Sequence, residues 1–102
     1  MRLQNYSEKQ FKKELLRIIG RHLDLAEHQV FIFGSRVTGK GDERSDIDIG
    51  IEGKTKISLS TLAQIRDEVE GLPILYAVDV VDFQRVDPDF KKVAMAKIEK
   101  LN

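Results

Sequence analysis

The chain has no cysteine among its 102 residues. That excludes a disulfide framework and any metal site built on thiolates. It has no net charge either, because 17 basic side chains balance 17 acidic ones. No global field therefore draws it to nucleic acid or to a membrane surface. A basic, aromatic-rich track of the kind that follows a nucleic-acid strand is missing too, with aromatics at 7%. No apolar run reaches transmembrane length, and the first ten residues lack the apolar centre of a signal peptide. Cytoplasmic residence is the resulting expectation. Internal repeats, low-complexity tracts and linkers are absent as well, so residues 1–102 are expected to form a single domain.

What the chain does have is 41% hydrophobic and 33% charged residues, the balance of a globular protein with one modest core. Its charge is uneven along the length. Residues 1–41 carry eight basic and four acidic side chains, and 42–102 carry nine basic and thirteen acidic ones. The stretch 30–52 organises the rest. An apolar run, Val30 to Phe33, breaks at Gly34-Ser35-Arg36. Ten residues separate Ser35 from Asp46, which opens the alternating run Asp46-Ile47-Asp48-Ile49-Gly50-Ile51-Glu52. In a strand, the three isoleucines share one face, and Asp46, Asp48, Gly50 and Glu52 share the other.

Carboxylates at i and i+2 of a strand project side by side and repel unless a cation lies between them. A hard divalent ion such as Mg²⁺ suits that position, since it takes oxygen ligands and joins one or two carboxylates to substrate phosphates. The glycine permits a tight bend and close backbone approach. A short helix starting at Ser35 would aim free N–H groups at an anion, with the serine hydroxyl as a further donor. The competing reading of this stretch is a surface hairpin with two solvated aspartates, which leaves the Gly34-Ser35 turn unexplained.

Gly34-Ser35, ten residues, then Asp46-x-Asp48 resembles the signature of the DNA polymerase beta-type nucleotidyltransferase superfamily. The branch it resembles most is the minimal nucleotidyltransferases (MNT proteins), often the antitoxin partners of HEPN toxins. The resemblance implies an α/β fold with a three- or four-stranded mixed sheet and packed helices. It implies two Mg²⁺ ions, or Mn²⁺, with ATP as the nucleotide donor. It also implies Gly34, Ser35 and Arg36 at the phosphates and a third metal-binding acid on a neighbouring strand.

The surrounding pattern accommodates such a fold. Ser7-x-x-Gln10 has capping-box form and opens a helix with Phe11, Leu15 and Ile18 on one stripe, His22 one turn on, and Leu16, Ile19 and Leu23 widening it. His22 reads as structural and His28 as exposed. Strands are expected over 29–33, 46–52 and 74–82, with a short helix at 34–38 and a polar loop at 39–45. Ser58 or Ser60 caps a second helix ending near Gly71, with Leu59, Leu62, Ala63, Ile65 and Val69 apolar and Arg66 facing water. A crossover of that length favours parallel pairing of strands two and three. Asp87-Pro88 starts a last helix expected to reach about Leu101.

Strand three offers Asp79 and Asp82 as the third acid. Asp79 lies within an apolar run, where an unpaired charge is costly, and matches the family's pattern of an acid inside an apolar strand. Asp82, at the strand's end with solvent in reach, is the runner-up. Catalysis and metal binding are thus expected of Asp46, Asp48 and Asp79. Lys40 and Arg44 are weaker candidates for the leaving group, and Tyr76 for core or sheet edge. The activity implied is transfer of AMP from ATP to a hydroxyl, a tyrosine of a HEPN partner, by an antitoxin with protein adenylyltransferase activity. The alternative is a non-catalytic module that binds nucleotide or HEPN protein and inhibits sterically.

Overall fold

A computed structural model describes residues 7–34, 46–74 and 76–102. Helix α1 covers Glu8–Gly20, and the Ser7 hydroxyl caps it by accepting the Gln10 N–H at 2.9 Å. Strand β1 is Gln29–Phe33 and β2 is Ile47–Glu52. Helix α2 covers Leu59–Glu70, capped by Ser58, whose hydroxyl accepts the Thr61 N–H at 3.1 Å. Strand β3 is Val78–Asp82, helix α3 is Pro88–Met95, and β4 is Glu99–Lys100. The sheet is four-stranded and mixed, in the order β3-β2-β1-β4. The β1 strand pairs antiparallel with β2 and with β4, and β2 pairs parallel with β3.

Side-chain alternation along the strands divides the core in two. Val30, Ile32, Ile47, Ile49, Ile51 and Val80 point to one face, where Phe11, Leu15, Ile18 and Ile19 of α1 and Leu62, Ile65 and Val69 of α2 close over them. Phe31, Phe33 and Phe83 point to the other, with Ala94 and Met95 of α3 against them. The helix ends on the larger core are tied across: Arg21 Nη2 and His22 Nε2 each meet a Glu68 carboxylate oxygen. His22 is thus structural, as expected. His28 is half-buried rather than exposed, with Nδ1 2.9 Å from the Asp24 carbonyl oxygen.

Four further expectations need correction. The last helix stops at Met95, and residues 99–100 pair with Phe31 and Ile32 instead of continuing it. The outer edge of β1 is buried and its backbone groups need partners; Leu101 N–H donates to the Val30 carbonyl at 2.8 Å, and Val30 N–H to Asn102 Oδ1 at 2.8 Å. Strand three begins at Val78, four residues later than the pattern suggests. Leu59, at 67% exposure, and the exposed Ala63 do not join the stripe of α2, which begins at Leu62. Arg66 does not simply face water: its Nε and Nη2 donate to the Val80 carbonyl at 3.0 and 2.8 Å. That caps a carbonyl on the strand at the sheet edge.

Candidate active site

The site forms on the face that α3 covers only in part. In the parallel register of β2 and β3, Asp48 lies directly beside Asp79. Asp46 sits one residue before β2 starts and is exposed. The sequence pair thus becomes a group of three acids drawn from two strands. Burial raises the Asp48 carboxyl above its ordinary value, and the charges of Asp79 and Asp46 push the same way.

The turn after β1 meets this group. Gly34 has φ +85°, in the left-handed region. A Cβ there would lie 2.5 Å from Asp48 Oδ2, so the position needs glycine both for its backbone and for its space. The register pairs neighbouring Phe33 with Asp48, which explains why the turn and the carboxylate touch. Ser35, Arg36, Lys40 and Arg44 lie outside the described residues, as does the expected short helix at 34–38 beyond Gly34.

The two acids of β3 have exchanged settings relative to expectation. Asp79 is exposed, because alternation turns it away from the buried Val80. Its apolar sequence neighbours therefore impose no burial on it. Asp82, expected within solvent's reach, is 3% exposed. Its Oδ2 accepts Ile57 N–H at 2.7 Å and lies 3.4 Å from Arg85 Nε; its Oδ1 accepts Gln84 N–H at 2.9 Å. Asp82 fastens the loop before α2 to the end of the sheet and has no part in the acidic group.

Gly50 also departs from expectation. It shares the acidic face of the strand without leaving that face open, since a Cβ there would lie 2.3 Å from Phe31 Cε2 and 2.8 Å from Phe83 Cε1. Glycine makes room for rings, which meet edge to face at 4.9 Å between centroids. Glu52 is spoken for as well: Lys91 Nζ lies 2.7 Å from its carboxylate, and Gln84 Nε2 donates to it.

A cleft of about 480 Å³ opens beside the acids. Gly34, Asp48 and Asp79 supply its polar side, Phe33 and Val81 its floor, and Phe90, Val93, Ala94 and Lys97 its wall. Of the wall residues, Phe90, Val93 and Ala94 form an apolar stripe at i, i+3 and i+4. No residue of α3 is buried.

Among the described residues no set of three His, Cys, Asp or Glu side chains is closed enough to cage a metal ion. The donor chemistry nevertheless fits Mg²⁺ or Mn²⁺. Hard carboxylate oxygens are available in Asp46, Asp48 and Asp79, and Mg²⁺ completes its shell with water and substrate phosphate rather than a protein cage. No helix among the described residues is long and apolar enough to cross a membrane.

Residues 27–101 match the family described as Polymerase beta, Nucleotidyltransferase. A curated relative from Haemophilus influenzae, "Probable protein adenylyltransferase MntA", is 24% identical over 91 residues, covering 87% of this chain and 80% of its own. Among solved structures, a toxin–antitoxin with AMP-PNP superposes with a TM-score of 0.71 at 16% identity, over 89% of this chain and 72% of that one. A complex of tri-AMPylated Shewanella oneidensis HEPN toxin with MNT antitoxin gives 0.71 at 13% identity, over 94% and 72%.

Proposed function

The chain belongs to the polymerase beta nucleotidyltransferase family, and from that premise we propose that it transfers AMP from ATP to a hydroxyl of a HEPN-domain partner, as an antitoxin of the MNT type. The observation that carries this reading is the parallel register that sets Asp79 beside Asp48, against the Gly34 turn. A relative named as a protein adenylyltransferase and the fold shared with an MNT antitoxin bound to an AMPylated HEPN toxin support it.

In this reading residues 1–102 act as one catalytic unit. Asp46, Asp48 and Asp79 would hold two divalent ions, Mg²⁺ or Mn²⁺. Bound there, the ions would neutralise the triphosphate and favour attack at the α-phosphorus. Gly34 lets the backbone approach the phosphates, with Ser35 and Arg36 adding donors next to it in sequence. Asp79, exposed on the cleft side, takes the proton of the incoming hydroxyl. The hydroxyl oxygen forms its bond to the α-phosphorus as the bond to the bridging oxygen breaks, and pyrophosphate leaves. Positioning supplies most of the acceleration in such transfers, and the partner, by presenting its hydroxyl, completes the site.

Incubating the chain with its HEPN partner, Mg²⁺ and ATP should yield partner molecules heavier by one or more AMP units, and Asp46→Asn should yield none. Mass spectrometry reads both. A partner left unmodified, yet inhibited equally by wild type and variant, would replace this reading with a steric binding module.

A further inference from the structure

Strand β3 carries one of the three acids and is an edge of the sheet: among the described residues it pairs with β2 alone. Ile47 N–H donates to the Ala77 carbonyl and Phe83 N–H to the Ile51 carbonyl, each at 2.9 Å. Backbone direction alternates along a strand. Between these two bonds, Asp79 therefore turns its N–H and C=O toward β2, and Val80 turns its own to the open edge. Arg66 of α2 reaches round that edge and closes a fork on the Val80 carbonyl, Nε at 3.0 Å and Nη2 at 2.8 Å.

The place of the fork matters because β3 is under load. Asp48 and Asp79 stand side by side across the β2–β3 pair. Burial and then the charge of Asp79 raise the Asp48 carboxyl, so the two carboxylates feel each other. Their repulsion pushes β3 away from β2, and an edge strand has no further strand behind it to resist. Arg66 ties the residue next to Asp79 to α2, and α2 is fixed on the sheet by the buried Leu62, Ile65 and Val69.

We infer that Arg66 is a positioning residue: its fork on the Val80 carbonyl holds β3 against β2 and so keeps the Asp79 carboxylate near enough to Asp48 for both to share a divalent ion. The inference rests on the metal-dependent transfer reading above and adds a residue that touches neither substrate nor ion. Val80 cannot do this through its own side chain, which is buried under α2 and carries no polar atom. Lysine would do it poorly, because it offers a point charge on a flexible stem in place of a rigid planar fork.

The test uses the full chain with Arg66→Met, which keeps the stem and loses the fork, and Arg66→Lys, which keeps the charge and loses the geometry. Amide hydrogen exchange reads the strand. In Arg66→Met the Asp79 amide should exchange about tenfold faster, the scale of one charge-assisted hydrogen bond lost at an exposed site. The Ile32 amide in β1 should stay within about twofold of wild type. Mn²⁺ titrated alone and followed by its EPR signal should bind Arg66→Met about fivefold more weakly, with Arg66→Lys in between. With ATP and the HEPN partner, Arg66→Met should need about fivefold more Mg²⁺ for half-maximal transfer, yet reach a kcat within about twofold of wild type at saturating Mg²⁺. A residue serving stability alone would speed both amides alike and lower transfer at every Mg²⁺ concentration. That pattern, or wild-type Mn²⁺ affinity in Arg66→Met, overturns the inference. Faster Asp79 exchange and weaker Mn²⁺ binding in Arg66→Met, measured against a wild type that transfers no AMP, would uphold the tether and defeat the enzymatic reading instead.

Discussion

The two faces of the sheet are built from the same strands and do opposite things. On one, Ile47, Ile49, Ile51 and Val80 are sealed under α1 and α2. On the other, the intervening positions carry Asp48, Gly50, Asp79 and Val81, with three phenylalanines closing one end and a cleft the rest. Asp79 and Asp82, three residues apart on β3, show the contrast in one residue type. The first is exposed beside another carboxylate; the second is buried and hydrogen-bonded to two backbone amides. A strand's two-residue period lets stability and chemistry be assigned separately, so damage to one face should leave the other largely intact.

The sharpest break in that comparison is activity. Asp48→Asn and Asp79→Asn should each lower AMP transfer by about a thousandfold, the scale of losing a preorganised charge in a catalytic site, while thermal unfolding stays cooperative with no loss of Tm. Asp82→Ala should reverse the pattern, costing about 3 kcal/mol by leaving the Ile57 and Gln84 N–H groups without their acceptor. Chemical denaturation alongside the transfer assay would expose a swap: full activity in Asp79→Asn with loss in Asp82→Asn would overturn the assignment.

Next in size are apolar truncations. Ile49→Ala, at the centre of the sealed face, should cost about 2–4 kcal/mol through lost burial and an unfilled cavity. Val93→Ala on the open face should change stability by less than about 0.5 kcal/mol. Urea unfolding of the pair measures the asymmetry directly.

A smaller effect depends on pH. The Asp48 carboxyl is raised by burial and by its acidic neighbours. Its native state therefore binds a proton more readily than the unfolded chain, and its charge costs stability above the raised value. Asp48→Asn should melt a few degrees above wild type at neutral pH. That advantage should shrink as pH falls through the raised pKa and vanish below the unfolded carboxylate value near ~4. An advantage constant across this range would point to packing rather than charge.

The smallest effect is at the surface. His22's hydrogen bond, chiefly, and the Arg21 charge hold Glu68 below its usual carboxylate value against some desolvation. A depressed acid contributes stability above its unfolded pKa and loses it as pH falls through the folded one. Glu68→Gln should lower Tm slightly at pH 7, and the difference should fade in acid and in high salt.

Much of this molecule was determined by local sequence. Strand β1 was legible to the residue, because a run rich in Val, Ile and Phe and stopped by Gly34 is too short for a stable helix and suits a buried strand. The cap at Ser7 was legible, and the cap at Ser58 was one of two candidates with Ser60, because a side-chain oxygen three residues ahead of an unpaired N–H acts within one turn. The alternation in 46–52 assigned Asp48 to the face opposite the isoleucines, since period and burial are local properties of a strand.

What the tertiary structure decided was everything that depends on register and coverage. Which of Asp79 and Asp82 joins Asp48 follows from the parallel pairing of β2 with β3, and no pattern within 74–82 contains that register. Gly50 reads as open space until Phe31 and Phe83 arrive from two other segments to occupy it. Residues 99–100 continue a helical-looking pattern, yet the unpaired edge of β1 claims them, because a buried backbone group without a partner costs more than the lost helical turn. The stripe on α3 shows the same limit: apolar spacing announces a face, and only the packed fold decides how much of that face meets the interior.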